Sequence, residues 1–166
     1  MATTYEPIAT TTLGSAASSI TFSSISSAYT DLKVVFVGTT TVDGETLYYR
    51  FNSDSGSNYS ITQLYTNGSA RGSRLLSSAT QLSTTFGISL SNTTPQMITF
   101  DVFSYAGATR KSTLGNHAGN GSSGGIDITV GLWRDTSAIT SIYMFPSGGT
   151  TFKVGTTATL YGIKNA

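Results

Sequence analysis

The single histidine of the chain, His117, lies in Gly115-Asn116-His117-Ala118-Gly119 and is the first place to look for acid–base chemistry. A histidine base needs a nucleophile within hydrogen-bond reach and a carboxylate that orients its ring. Nothing in the spacing around His117 selects either partner, and serine is too abundant for one nearby to carry meaning. The expected role is therefore that of a surface or interface hydrogen-bonding group in a Gly-rich loop.

The acidic residues are Glu6, Glu45, Asp31, Asp43, Asp54, Asp101, Asp127 and Asp135. Most adjoin expected turns, and no spacing selects a pair for glycoside hydrolysis. Asn52, Asp54, Gly56 and Asn58 resemble the start of a calcium loop, but Gln63 stands where a bidentate Glu would close it, so a plain turn is expected. The glycines from Gly119 to Gly125 are read as lacking the preceding strand, the following helix and the Lys that a phosphate cradle uses. Trp133 suits either a core anchor whose indole N–H reaches a backbone carbonyl or a sugar-stacking platform, with the core favoured. Asn58, Asn67, Asn92 and Asn120 head Asn-X-Ser/Thr triplets that would matter only in a secreted eukaryotic protein. The expectation is no catalytic residue, no metal and no cofactor.

The elements that position these residues read as strands. Leu47, Tyr49 and Phe51 alternate with polar or half-polar neighbours, and Tyr59, Ile61, Gln63 and Tyr65 do the same. Leu32 to Val37 is apolar at almost every position, which predicts a central strand covered on both faces. Ser19–Phe22, Leu82–Leu90, Met97–Tyr105, Ile126–Trp133, Ile139–Phe145 and Ala158–Ile163 complete about eight or nine strands. Val42–Glu45, Asn52–Asn58, Asn67–Ser73 and Asn116–Gly125 read as exposed loops. No helical period appears, so parallel crossovers are excluded and an antiparallel β-sandwich of jelly-roll type is predicted.

Composition sets the frame. A chain of 166 residues is the size of one domain able to bury a core. Only 10% of residues are charged while 11% are aromatic, so the chain should fold behind a surface of hydroxyls and amides. A net charge of +1 offers no positive field for phosphates or anionic lipid, so neither nucleic acid nor membrane is an expected partner. There is no cysteine for disulfides or thiolate sites. No basic-then-apolar leader and no spanning apolar run is present, and a soluble, cytoplasmically made chain is expected.

Several strands carry a family resemblance. Ser19-Ile20-Thr21-Phe22 with Tyr29-Thr30-Asp31-Leu32, Tyr49-Arg50-Phe51-Asn52 with Asp54-Ser55-Gly56-Ser57-Asn58-Tyr59-Ser60, Gly131-Leu132-Trp133-Arg134 leading into Ala138-Ile139-Thr140-Ser141-Ile142, and Thr159-Leu160-Tyr161-Gly162-Ile163 resemble small all-β virion structural proteins of tailed phages, notably those of cyanobacteria and other marine bacteria. The similarity spans Ser19 to Ile163.

The resemblance implies a virion location, on the capsid surface or the tail, and a non-enzymatic role. A head-decorating or cement protein is favoured over a fibre, because one sandwich leaves no room for a shaft and an attachment module. The expected partners are the major capsid protein or other virion proteins and further copies of the chain, as a homotrimer. The alternative is a tail-fibre or tail-tip module that recognises host glycans. Residues 19–166 are expected to form one jelly-roll-like domain, and 1–18 an arm or first strand. Tyr5, Ile8 and Leu13 are candidate interface anchors if that segment docks on a neighbour; otherwise they belong to an ordinary strand.

Overall fold

The computed structural model describes residues 4–87, 89–119 and 124–164. Among these described residues, twelve strands form two antiparallel sheets. They are β1 (Tyr5–Thr12), β2 (Ile20–Phe22), β3 (Asp31–Gly38), β4 (Leu47–Phe51), β5 (Tyr59–Thr66), β6 (Arg71–Ala79), β7 (Leu82–Ser83), β8 (Gln96–Phe103), β9 (Lys111–Gly119), β10 (Gly125–Trp133), β11 (Ile142–Pro146) and β12 (Thr157–Ile163). The larger sheet runs β1-β12-β3-β8-β9-β10-β5-β6 and the smaller β2-β11-β4-β7.

The pairing is nested. Strands β1, β2, β3 and β4 pair with β12, β11, β8 and β7 in turn, and the folded ribbon closes through β12–β3 and β11–β4. That is the wrap of an eight-stranded jelly roll. Two hairpins are added to it: β5–β6 lies between β4 and β7, and β9–β10 between β8 and β11. Both extend the larger sheet beyond β8.

Between the sheets the core is built by period-two alternation. Leu32, Val34 and Phe36 of β3, Ile98, Phe100 and Val102 of β8, and Leu47, Tyr49 and Phe51 of β4 are buried, with Tyr49 stacked on Phe100 at 4.1 Å. Strand β3 is interior to its sheet, as its apolar run predicts; its outward residues Lys33 and Val35 are half-buried and Val37 is exposed.

Several elements differ from the sequence reading. Asn116–Gly119 is the end of β9 and Gly125 the start of β10, although a loop is predicted over Asn116–Gly125; residues 120–123 of that stretch lie outside the described residues. Strand β6 begins at Arg71, inside the expected loop Asn67–Ser73. The strand predicted from Leu82 stops at Ser83, because Phe86 and Gly87 turn their N–H groups to the Asp127 carboxylate, at 2.8 and 3.0 Å, instead of to a strand. Strand β11 starts at Ile142 rather than Ile139, since the N–H groups of Thr140 and Ser141 donate to Asn52 Oδ1.

Candidate functional site

His117 sits on the inward face of β9, fully buried rather than in a surface loop. Its Nε2 donates to Gln96 Oε1 at 2.6 Å, and Nδ1 lies 3.9 Å from Asp127 Oδ2 on β10, directly opposite in the register. Burial pushes the imidazole down to about 4, so the ring is neutral at pH 7. The carboxylate that could orient it is occupied by the Phe86 and Gly87 N–H groups, and His117, Gln96 and Asp127 are all buried. This is the interior of a wall.

The polar interior extends along the added hairpins. Gln63 Nε2 donates to Thr129 Oγ1 at 2.9 Å, Tyr49 and Thr113 share their hydroxyls at 3.1 Å, and Arg74 donates to Gln63 Oε1 and Ser83 Oγ. The Arg74 guanidinium also lies 3.8 Å from the centre of the Phe86 ring, which itself meets Tyr65 edge-on. Lys111 Nζ, buried, donates to the carbonyls of Gly107, Thr109 and Thr136. Burial holds its pKa below the ordinary lysine value, opposed by Asp135.

Asp54 organises the turn that resembles a calcium loop. Its carboxylate accepts Gly56 N–H at 2.8 Å, Asn58 Nδ2 at 3.0 Å and Trp133 Nε1 at 2.7 Å. Burial raises the pKa of this carboxyl, and those donors outweigh the effect and hold it below the usual carboxylate value. Asn52 faces Ala138 to Ser141 instead, and Gln63 is inside the sandwich, so the oxygens do not converge. Trp133 is a core anchor, 1% exposed and packed on Phe51 and Tyr59, and offers no face to a sugar. Its N–H reaches a carboxylate where a backbone carbonyl is expected.

Residues 5–12 form the edge strand β1. Tyr5 is 52% exposed beside Tyr161, while Ile8, turned at a bulge between Pro7 and Ala9, and Leu13 are partly buried against the core.

The outward face of the larger sheet is the feature that sequence reasoning missed. In β10, and on the inward side of β9, the usual polarity is reversed. The buried positions of β9 are Lys111, Thr113, Gly115 and His117 and those of β10 are Asp127, Thr129 and Gly131 up to the core residue Trp133, whereas Leu114, Ile126, Ile128 and Val130 point outward; β5 keeps Tyr59, Ile61 and Gln63 inside and turns Leu64 outward. Cross-strand rows carry these outward residues over the sheet. One runs Leu114-Val130-Thr62-Leu75, the next Asn116-Ile128-Leu64-Ser73, the third Met97-Ala118-Ile126-Thr66-Arg71. Leu75 is 70% exposed, Leu64 61%, and Val130, Ile126 and Met97 53% each, far from the half-buried norm of a sheet face. A groove of about 500 Å³ opens among Leu64, Thr66, Arg71, Ser73, Ile126 and Ile128. The signal was present in Ile126, Ile128 and Val130, but alternation says which residues share a face, not which face is inside.

No family model, curated protein or solved structure matches the chain.

Proposed function

We propose that the chain is a non-enzymatic structural protein of a phage virion, a head-decorating or cement subunit that acts by covering the surface of its neighbours. The observation that carries this reading is the apolar outward face of β10 with its neighbours Leu64, Leu75 and Leu114, set over polar inward positions in β9 and β10. Groups that could react with a solute, His117 and Asp127, are shut inside, and branched aliphatic side chains are presented where another protein can bury them. An enzyme needs the opposite arrangement. Contiguous exposed apolar surface of this kind marks an association site. The setting in a virion comes from the resemblance read in the strand segments between Ser19 and Ile163 alone.

Particles assembled without the protein and challenged by heat and osmotic shock provide the test. They are expected to lose a surface layer in negative-stain images and to rupture more readily, and adding back the purified protein should restore resistance. Unchanged resistance argues against cementing.

One observation favours the second reading, a tail module that recognises host glycans. On the outer face of the smaller sheet Tyr48, Phe145 and Tyr143 adjoin one another, at 5.6 and 5.0 Å between ring centres, along a groove of about 330 Å³ completed by Ser18 and residues 147–150. Partly exposed aromatic rings among hydroxyls suit a neutral sugar. Glycan-array binding by the isolated protein, abolished by Tyr143→Ala, would move this reading ahead of the first.

A further inference from the structure

We infer that the outward face of β9, β10, β5 and β6 is where copies of this chain pack against one another. The inference rests on the reading of the chain as an assembling structural protein and adds the identity of the partner at that face.

Charge gives the first argument. Across the three cross-strand rows, from β3 to the free edge at β6, the ionic residues are Lys33, Asp101 and Arg71, and the first two neutralise each other at 3.0 Å. A partner recruited by electrostatic complementarity would meet a potential of one sign. Two copies of a face with Arg71 as the one uncompensated charge of these rows meet with little like-charge repulsion.

Size gives the second. From β8 to β6 the face is five strands wide, and with strands about 4.8 Å apart and roughly eight residues long it covers about 600 Å² in projection. That is the scale of the roughly 800 Å² per partner in stable interfaces. Shape gives the third. Leu64 and Ile128 stand as knobs beside the groove they help to line, and faces of twisted sheets pack by interdigitating such side chains at about 10 Å separation. A second copy brings both knob and groove, the self-matching condition of an interface between identical chains. A lipid surface would call for a rim of several free Lys or Arg, whereas here Arg134 is engaged by Ser60 and Ser77 and Lys33 by Asp101, which leaves Arg71.

Sedimentation of the full chain tests this directly. Wild-type protein is expected to run at an integer multiple, two or more, of 17.3 kDa. Ile128→Lys is expected to reduce it to a folded 17.3 kDa monomer. Leu75→Lys, at the most exposed position of the face, should do the same and stands in should Ile128→Lys misfold by circular dichroism. Val42→Lys, on a loop away from this face, should leave the assembly intact. A wild-type monomer at concentrations up to ~100 µM, where micromolar affinity would saturate, overturns the inference, as do folded Ile128→Lys and Leu75→Lys variants of unchanged mass. Flotation of monomeric wild type with phosphatidylcholine vesicles overturns it too and assigns the face to lipid. A monomer that still coats particles defeats this inference and spares the functional reading; an oligomer that never coats them does the reverse.

Discussion

His117 and Asp127 face each other across β9 and β10 inside the protein, and their chemistry is a property of folding. A pKa near 4 lies below the 6.5 of an exposed imidazole. Between those values the unfolded chain binds a proton that the folded chain refuses. Stability is therefore complete above about pH 6.5 and falls as the pH drops toward 4, by at most about 3 kcal/mol. His117→Gln removes that titration. The difference in unfolding free energy between wild type and His117→Gln, from urea titrations, should shift by an amount of this order between pH 7 and pH 4.5, and a constant difference would refute the assignment. At this scale the sequence was legible for Trp133, whose size and N–H predict a buried anchor. It was not legible for His117, because Gly115, Asn116 and Gly119 look like a loop when read without the strands that flank them.

Strand β9 shows why an element can be hidden. Its inward side chains are Lys111, Thr113, Gly115 and His117, a set no alternation rule assigns to an interior, and it becomes a strand because β8 and β10 supply both ladders. Gly115 has a specific job there, since a Cβ at that position would meet Thr84 Cγ2 at 2.8 Å. Gly115→Val should lower stability by about 1–3 kcal/mol through overpacking against the segment that covers the sheet, measurable as a fall in urea midpoint; a neutral effect would mean that this segment gives way. Strands β3, β4, β5, β8, β10 and β12 were readable because side-chain chemistry and alternation agree in marking them as strands. Strand β6 escaped because Arg74 and Gly72 occupy its inward side and its outward residues include serines.

For the whole molecule, the sheet extended by two hairpins leaves one broad, weakly charged apolar surface whose burial requires another body. Association through such a surface is driven by removing apolar area from water and little by Coulomb attraction. The oligomer mass and its dissociation constant should hardly change between ~0.05 and ~0.5 M sodium chloride, whereas sodium sulfate should tighten it. A strong loss of affinity with chloride would point to ionic contacts elsewhere. The nested pairing has its own effect on synthesis. Tyr5 opposes Ile163 and Leu32 opposes Val102, so the earliest strand to leave the ribosome waits for the latest before its ladder can form. Until the wrap closes, the polypeptide carries Ile126, Ile128 and Val130 unshielded, a window in which crowded sister chains compete with correct folding.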